Sequence, residues 1–240
     1  MGFFVSELMG LDTDKFIEGA RACVEDVLRV ESVLDSDAAK YAILDMLLAK
    51  DDKFAARYML PYGEELASLP ALTAQLAGES NNKDGIDSLN QISGTGPIAL
   101  HSDVESWARK EKRRLLIEEI FVKDNPEDLV HGDTGLKSLG GYRLRSMHQD
   151  MLTQLALPTG KHIRENVGNP VISTVIDKLD EFNIAYLVMR YMLSTVVQAG
   201  IQDGEGTVAS KIDKAIRQPQ VEQMKKSRAK TLEELSKIEL

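Results

Sequence analysis

The fold turns on one stretch, SDVESWARKEKRRLLIEEIFV, residues 102–122. Read at 100° per residue it is a helix. Ser102 and Glu105 have the spacing of a capping box. Val104, Ala108, Leu115 and Val122 fall on one side, and Arg109, Lys110, Lys112, Arg113 and Arg114 spread over the opposite arc. Leu116, Ile117 and Ile120 then make the second half apolar on most sides, so the helix passes from half-exposed to buried. Glu105/Arg109 and Arg114/Glu118 are favourable i,i+4 pairs. Arg109/Arg113 and Lys110/Arg114 are like-charge pairs that cost roughly 0.2–0.5 kcal/mol each. A basic arc that tolerates this cost should face something negative.

Outward from that stretch the chain reads as helix after helix. On the N-terminal side, Thr13 caps a helix to about Leu34, and DAAKYAILDMLLAK, residues 37–50, is apolar enough to be buried. A third helix over about 52–60 stops at Pro61, and a fourth starts at Ser68 with Pro70 and ends at Gly78. GESNNKDGIDSLNQISGTGP, residues 78–97, is rich in Gly, Ser, Asn and Asp and reads as a linker. On the C-terminal side, a helix runs from Tyr142 to about Leu157, and Asn169-Pro170 opens another helical stretch. IAYLVMRYMLSTVV, residues 184–197, is its apolar centre. It is shorter than the ~20 residues a bilayer span needs, and Arg190 within it calls for a buried carboxylate partner. No strand pattern emerges. The expected fold is all-α, with an acidic lobe over 1–77, the linker over 78–97, a second lobe over 98–206 and a polar helical arm over 207–240.

The 240 residues carry a net charge of −9 and are 43% hydrophobic, which suits a folded domain and not a disordered one. Residues 1–100 hold 17 acidic and 8 basic side chains, and the remainder is balanced. The single cysteine, Cys23, excludes an intrachain disulfide and a cysteine-rich zinc site. No secretory leader is recognisable in MGFFVSELMG, which points to a protein that is not secreted, sited in the cytoplasm or within a virion. N-myristoylation at Gly2 is not expected, because no basic cluster follows to supply a second anchor.

Enzyme motifs fail on inspection. Thr159-Gly160-Lys161 lacks the first glycine and the magnesium-binding hydroxyl of a phosphate loop. His131/Asp133 and His148/Asp150 are His-x-Asp pairs that read as loop and surface helix, so no metal and no cofactor is expected. The chemistry-bearing residues are instead basic. Arg109, Lys110, Lys112, Arg113 and Arg114, with Lys137, Arg143, Arg145, Lys161 and Arg164, are candidates to bind single-stranded nucleic acid or an acidic partner. Lys225, Lys226, Arg228 and Lys230 mark an assembly arm. With an acidic first lobe and basic later clusters, head-to-tail contacts build homo-oligomers or larger assemblies. The function expected from sequence is a non-enzymatic structural subunit, of viral or phage coat or nucleocapsid type. A single-stranded nucleic-acid-binding protein and an all-α enzyme without a readable motif are the alternatives.

Overall fold

Residues Arg114–Asp124 are an extended strand in the computed structural model of the chain, not the second half of a helix. The structure describes residues 7, 10–81, 87–107, 114–124, 148–202 and 222–228. Within them four strands lie side by side: β1 (Phe54–Tyr62), β2 (Gln91–Ser93), β3 (Arg114–Asp124) and β4 (Val171–Lys178). They are all parallel, in the order β2-β1-β3-β4. The helices are α1 (Thr13–Arg29), α2 (Asp37–Ala49), α3 (Leu69–Ser80), α4 (Gly96–Ser102), α5 (Val104–Trp107), α6 (His148–His162) and α7 (Glu181–Gln202). The chain is therefore α/β, and the all-α expectation is corrected.

The correction has one physical cause. A strand in a parallel sheet is covered on both faces, so it loses the polar/apolar alternation that marks a half-exposed strand. Leu116 to Val122 are seven consecutive residues at 1% exposure or less. A short unbroken apolar run has no period that separates strand from buried helix. Ile117, Ile120, Phe121 and Val122 are β-branched or aromatic and favour the strand. The same holds for β1, which replaces the helix expected over 52–60. Strand β4 lies at the edge of the sheet, with Thr174 and Ile176 buried between exposed neighbours, and replaces the start of the helix expected after Asn169-Pro170. Ser102 does not open a helix. It closes α4 and turns its hydroxyl back to the Ile98 carbonyl at 3.4 Å.

Where helices do form, local chemistry starts them. The Asp12 side chain accepts from the Lys15 amide and caps α1, and Ser36 Oγ accepts from Ala39 N and caps α2. Helix α1 buries Gly19 and Cys23. Gly19 lies directly against the backbone carbonyl of Phe182, where a Cβ has no room. Helix α7 is the one helix among the described residues that is long and apolar enough to cross a membrane. Here it packs against α1, α2, α3 and β4, with Ala185, Leu187 and Tyr191 buried.

The strands sort their side chains by parity. Tyr58, Leu60, Tyr62, Ile117 and Phe121 join one core with Ala99, Trp107, Ala156 and Ile163 from the α4–α6 side. Met59, Ile120, Val122 and Ile176 join another with Tyr41, Leu69, Leu187 and Tyr191 from α2, α3 and α7. The result is a three-layer α/β/α arrangement with α1 outside α7. The sheet draws β1 from residues 1–77, β2 from 78–97, and β3 and β4 from 98–206. From β1 the chain passes to the β2 side, then crosses back to place β3 on the other flank. The strand order thus reverses between β1 and β3, and in open parallel sheets ligands bind outside the carboxyl ends of the strands at such a point.

Candidate functional site

Strand β3 carries two adjacent carboxylates, Glu118 and Glu119, both at 0% exposure. An unpaired buried charge is too costly to keep, so each must have built its own surroundings. Parity sends them to opposite layers.

Glu118 faces α2 and α7. It accepts from Tyr41 Oη at 2.6 Å, Tyr191 Oη at 2.7 Å, Thr174 Oγ1 at 3.3 Å and Arg190 at 3.5 Å. The Arg57 guanidinium stands 4.0 Å away and pairs with Asp45 at 3.1 Å. Asp45 also accepts from Ser88 Oγ, Leu89 N and Gln198 Nε2. Two arginines and two carboxylates thus balance in one buried network. Burial pushes the Tyr41 and Tyr191 hydroxyls well above their ordinary range, with the neighbouring Glu118 charge adding to it. Both therefore stay protonated and serve as donors. Arg190 meets the buried carboxylate that its place in an apolar helix calls for.

Glu119 faces α6 with far weaker partners. Tyr62 Oη and Ser173 Oγ each donate to it at 3.4 Å, and the Gly160 amide adds a third contact. Gly160 lies so close to Glu119 Oε2 that any side chain there would collide. Burial drives the Glu119 carboxyl up to about 7, against the lowering pull of these donors and the Arg164 charge. A group that titrates near neutrality can hold or release a proton. Tyr62 ends β1, at the carboxyl edge. Gly96, which begins α4 in the loop after β2, packs against its ring with room for no Cβ. A line of contacts therefore runs from the edge loop Gly94–Gly96 through Tyr62 to Glu119. The carboxyl edge between β1 and β3, backed by Glu119, is the candidate site. Among the described residues no group of three or more His, Cys, Asp or Glu could hold a metal.

The residues singled out in the sequence fall elsewhere. Arg114 starts β3, exposed, and stacks its guanidinium 5.2 Å from the Phe54 ring centroid. Lys161 and Arg164 are exposed at the end of α6 and in the π-turn Ile163–Val167. Lys225, Lys226 and Arg228 are exposed on the helical residues 222–228. Arg109, Lys110, Lys112, Arg113, Lys137, Arg143, Arg145 and Lys230 lie outside the described residues. Among the described members of this set, Arg164 bears on the carboxylate pair through its charge near Glu119. Sequence reading missed Glu118, Glu119, Asp45 and Arg57. One signal pointed to the pair: two glutamates set inside an otherwise apolar run.

No protein-family model matches the chain. It is similar to several proteins named glucose-6-phosphate isomerase. The one from Mycoplasmopsis synoviae is 24% identical over 205 residues, 83% of this chain and 46% of that protein. The one from Rubrobacter xylanophilus is 25% identical over 203 residues, 84% and 46%. The one from Acholeplasma laidlawii is 27% identical over 205 residues, 83% and 46%. Among solved structures, a hypothetical protein from Thermus thermophilus superposes with a TM-score of 0.75 at 21% identity, over 93% of this chain and 51% of that one. A glucose-6-phosphate isomerase from Chlamydia trachomatis superposes with a TM-score of 0.71 at 16% identity, over 93% and 43%. These superpositions fix the fold as α/β. Together with the named relatives they overturn the expectation of an all-α viral coat, nucleocapsid or RNA-binding structural protein. The chain spans about half the length of the curated relatives it matches, and what it is similar to is one half of a glucose-6-phosphate isomerase.

Proposed function

We propose that the chain is one α/β unit of a phosphosugar isomerase, interconverting a 6-phosphorylated aldose and its ketose. One observation carries this reading: the match to proteins bearing that name runs through four-fifths of the chain. The parallel sheet with a reversal point between β1 and β3 supports it, because that topology offers a ligand crevice at the carboxyl edge. The reaction is redox-neutral within the sugar. A proton leaves C2 of the aldose and returns at C1, while the carbonyl moves from C1 to C2. It needs a general base and a group that shuttles the oxygen-bound proton. Glu119 titrates in a suitable range, but it is buried beneath Tyr62, so its part is to hold charge and position below the site. The remaining groups come from a companion unit, in keeping with relatives about twice as long. A cytoplasmic location goes with this reading.

The test is isomerisation of fructose 6-phosphate in deuterated water, followed by NMR. The full chain is assayed alone and mixed with the unmatched remainder of the Mycoplasmopsis synoviae relative. Deuterium at C2 of glucose 6-phosphate in either sample is the expected result. No exchange, and no binding of either sugar phosphate in both samples, overturns the reading.

A further inference from the structure

Where α2, α3 and α7 meet over β1 there is a cavity of about 20 Å³, lined by Asp45, Arg57, Asn81, Ser194, Thr195 and Gln198 among others. Two of its lining residues carry buried polar atoms without a hydrogen-bond partner: Arg57 Nε, a donor, and Asn81 Oδ1, an acceptor. These residues are 4% and 2% exposed, so bulk water does not reach them freely.

The network leaves Asn81 Oδ1 no protein partner, and Arg57 Nε only the Glu118 carboxylate at 4.0 Å, beyond hydrogen-bond reach. Gln198 Nε2 donates to Asp45 Oδ2 at 3.0 Å and to the Asp87 carbonyl at 2.6 Å, which fixes its amide. Its Oε1 must then accept, and Asn81 Nδ2 donates to it at 2.7 Å. Flipping Asn81 would set two acceptors against each other, so Oδ1 is held towards other neighbours. No hydroxyl of the lining supplies it. Tyr41 and Tyr191 donate to Glu118, Ser88 to Asp45, Thr73 to the Leu69 carbonyl, Ser194 to the Arg190 carbonyl and Thr195 to the Met192 carbonyl. The Arg57 NH1 and NH2 groups already serve Asp45 and Gln91.

We propose that this cavity is a binding site for one water molecule, which donates to Asn81 Oδ1 and accepts from Arg57 Nε. A water needs roughly 10–15 Å³ and two to four polar partners, and the cavity offers both. Size excludes a larger ligand. An ammonium ion or monovalent metal has no lone pair for Arg57 and would sit beside a guanidinium, so the neutral donor–acceptor fits and the cation does not. The water is a structural member of the Asp45–Arg57–Glu118 network, tying the end of α3 to α7. The inference is independent of the isomerase reading.

The test is a crystal structure of the full chain at atomic resolution, with a second crystal soaked in rubidium, and oxygen-17 relaxation dispersion of the chain and of Asn81→Leu. Expected are one density peak at about 2.7–3.2 Å from Asn81 Oδ1, no rubidium signal there, and one fewer long-lived water in Asn81→Leu. An empty cavity, a rubidium peak in it, or an unchanged water count in a folded Asn81→Leu overturns the proposal. If Asn81→Leu does not fold, the two crystals decide alone.

Discussion

Glu118 and Glu119 are neighbours in β3, yet their carboxylates lie on opposite faces of the sheet in different electrostatic company. Glu118 has two tyrosine donors and two arginines, whereas Glu119 has two long hydroxyl contacts, one backbone amide and a single outlying arginine. One residue step along a strand therefore separates a carboxylate set between two arginines from one balanced between its two forms.

That balance makes stability depend on pH. The Glu119 carboxyl sits at about 7 in the folded chain and near 4.5 when unfolded. The folded state then binds a proton that the unfolded state releases, so this contribution is fully present below pH 4.5 and is lost as pH rises through 7. The difference corresponds to about 3 kcal/mol. Urea unfolding at intervals from pH 4.5 to 8 should show this fall for the native chain and a flatter profile for Glu119→Gln. Parallel profiles for the two proteins would contradict it.

Removing Glu118 should do more damage. Glu118→Ala leaves Arg57 and Arg190 facing each other across the Tyr41 and Tyr191 rings without their shared counter-charge. Breaking a buried pair in this way costs ~3–5 kcal/mol. Adding Arg190→Ala to Glu118→Ala should recover part of the loss, so that the two changes together cost less than their sum. Additive losses in a double-mutant cycle would show that the two side chains do not interact.

Gly160→Ala sets two effects against each other. Alanine in a helix interior is favoured over glycine by about 1 kcal/mol. The new methyl, however, collides with the Glu119 carboxylate, and overpacking costs ~1–3 kcal/mol. The collision wins in the native background, giving net destabilisation. In a Glu119→Ala background the obstacle is gone and the same change should stabilise. Thermal midpoints of the four proteins test the change of sign.

Cys23 should be nearly inert. Burial pushes its thiol up to about 11, the nearby Arg190 charge notwithstanding. The thiolate fraction at pH 8 is then on the order of a hundredfold below that of an ordinary cysteine, and the side chain is also 1% exposed. Alkylation at pH 8 should be at least that much slower for the native chain than for the chain in urea. Equal rates would show that α1 does not hold the thiol against α7.

The helices were legible because their signals are local. Punctuation at Asp35-Ser36, the proline after Ser68 and the apolar length of Ile184–Val197 mark α2, α3 and α7 without knowledge of what packs on them. Strands β1 and β3 were not legible, because their identity depends on partners far along the chain. Met59 pairs with Ser93 and Glu118, residues that local periodicity cannot bring together. The carboxylate site shared that fate. Glu118 next to Arg114 at i,i+4 looks like a surface helix pair, and only the strand geometry turns it inward to Arg190 and Tyr191. Gly160 was weighed as part of a failed phosphate loop, when its role is to leave space for a carboxylate.

The strand order described above also decides how such a chain reaches its native state. Not one pairing in the sheet is a hairpin: even the nearest, Arg57 with Gln91, closes a loop of more than thirty residues, and Ile117 with Val171 closes more than fifty. Each pairing pays loop-closure entropy before any contact offsets it, so assembly is slow and cooperative. Strands β1 and β3, bordered on both sides, have no stable half-built form. A protease cut in any one crossover before the sheet closes should therefore abolish folding of the whole sheet and not of one part.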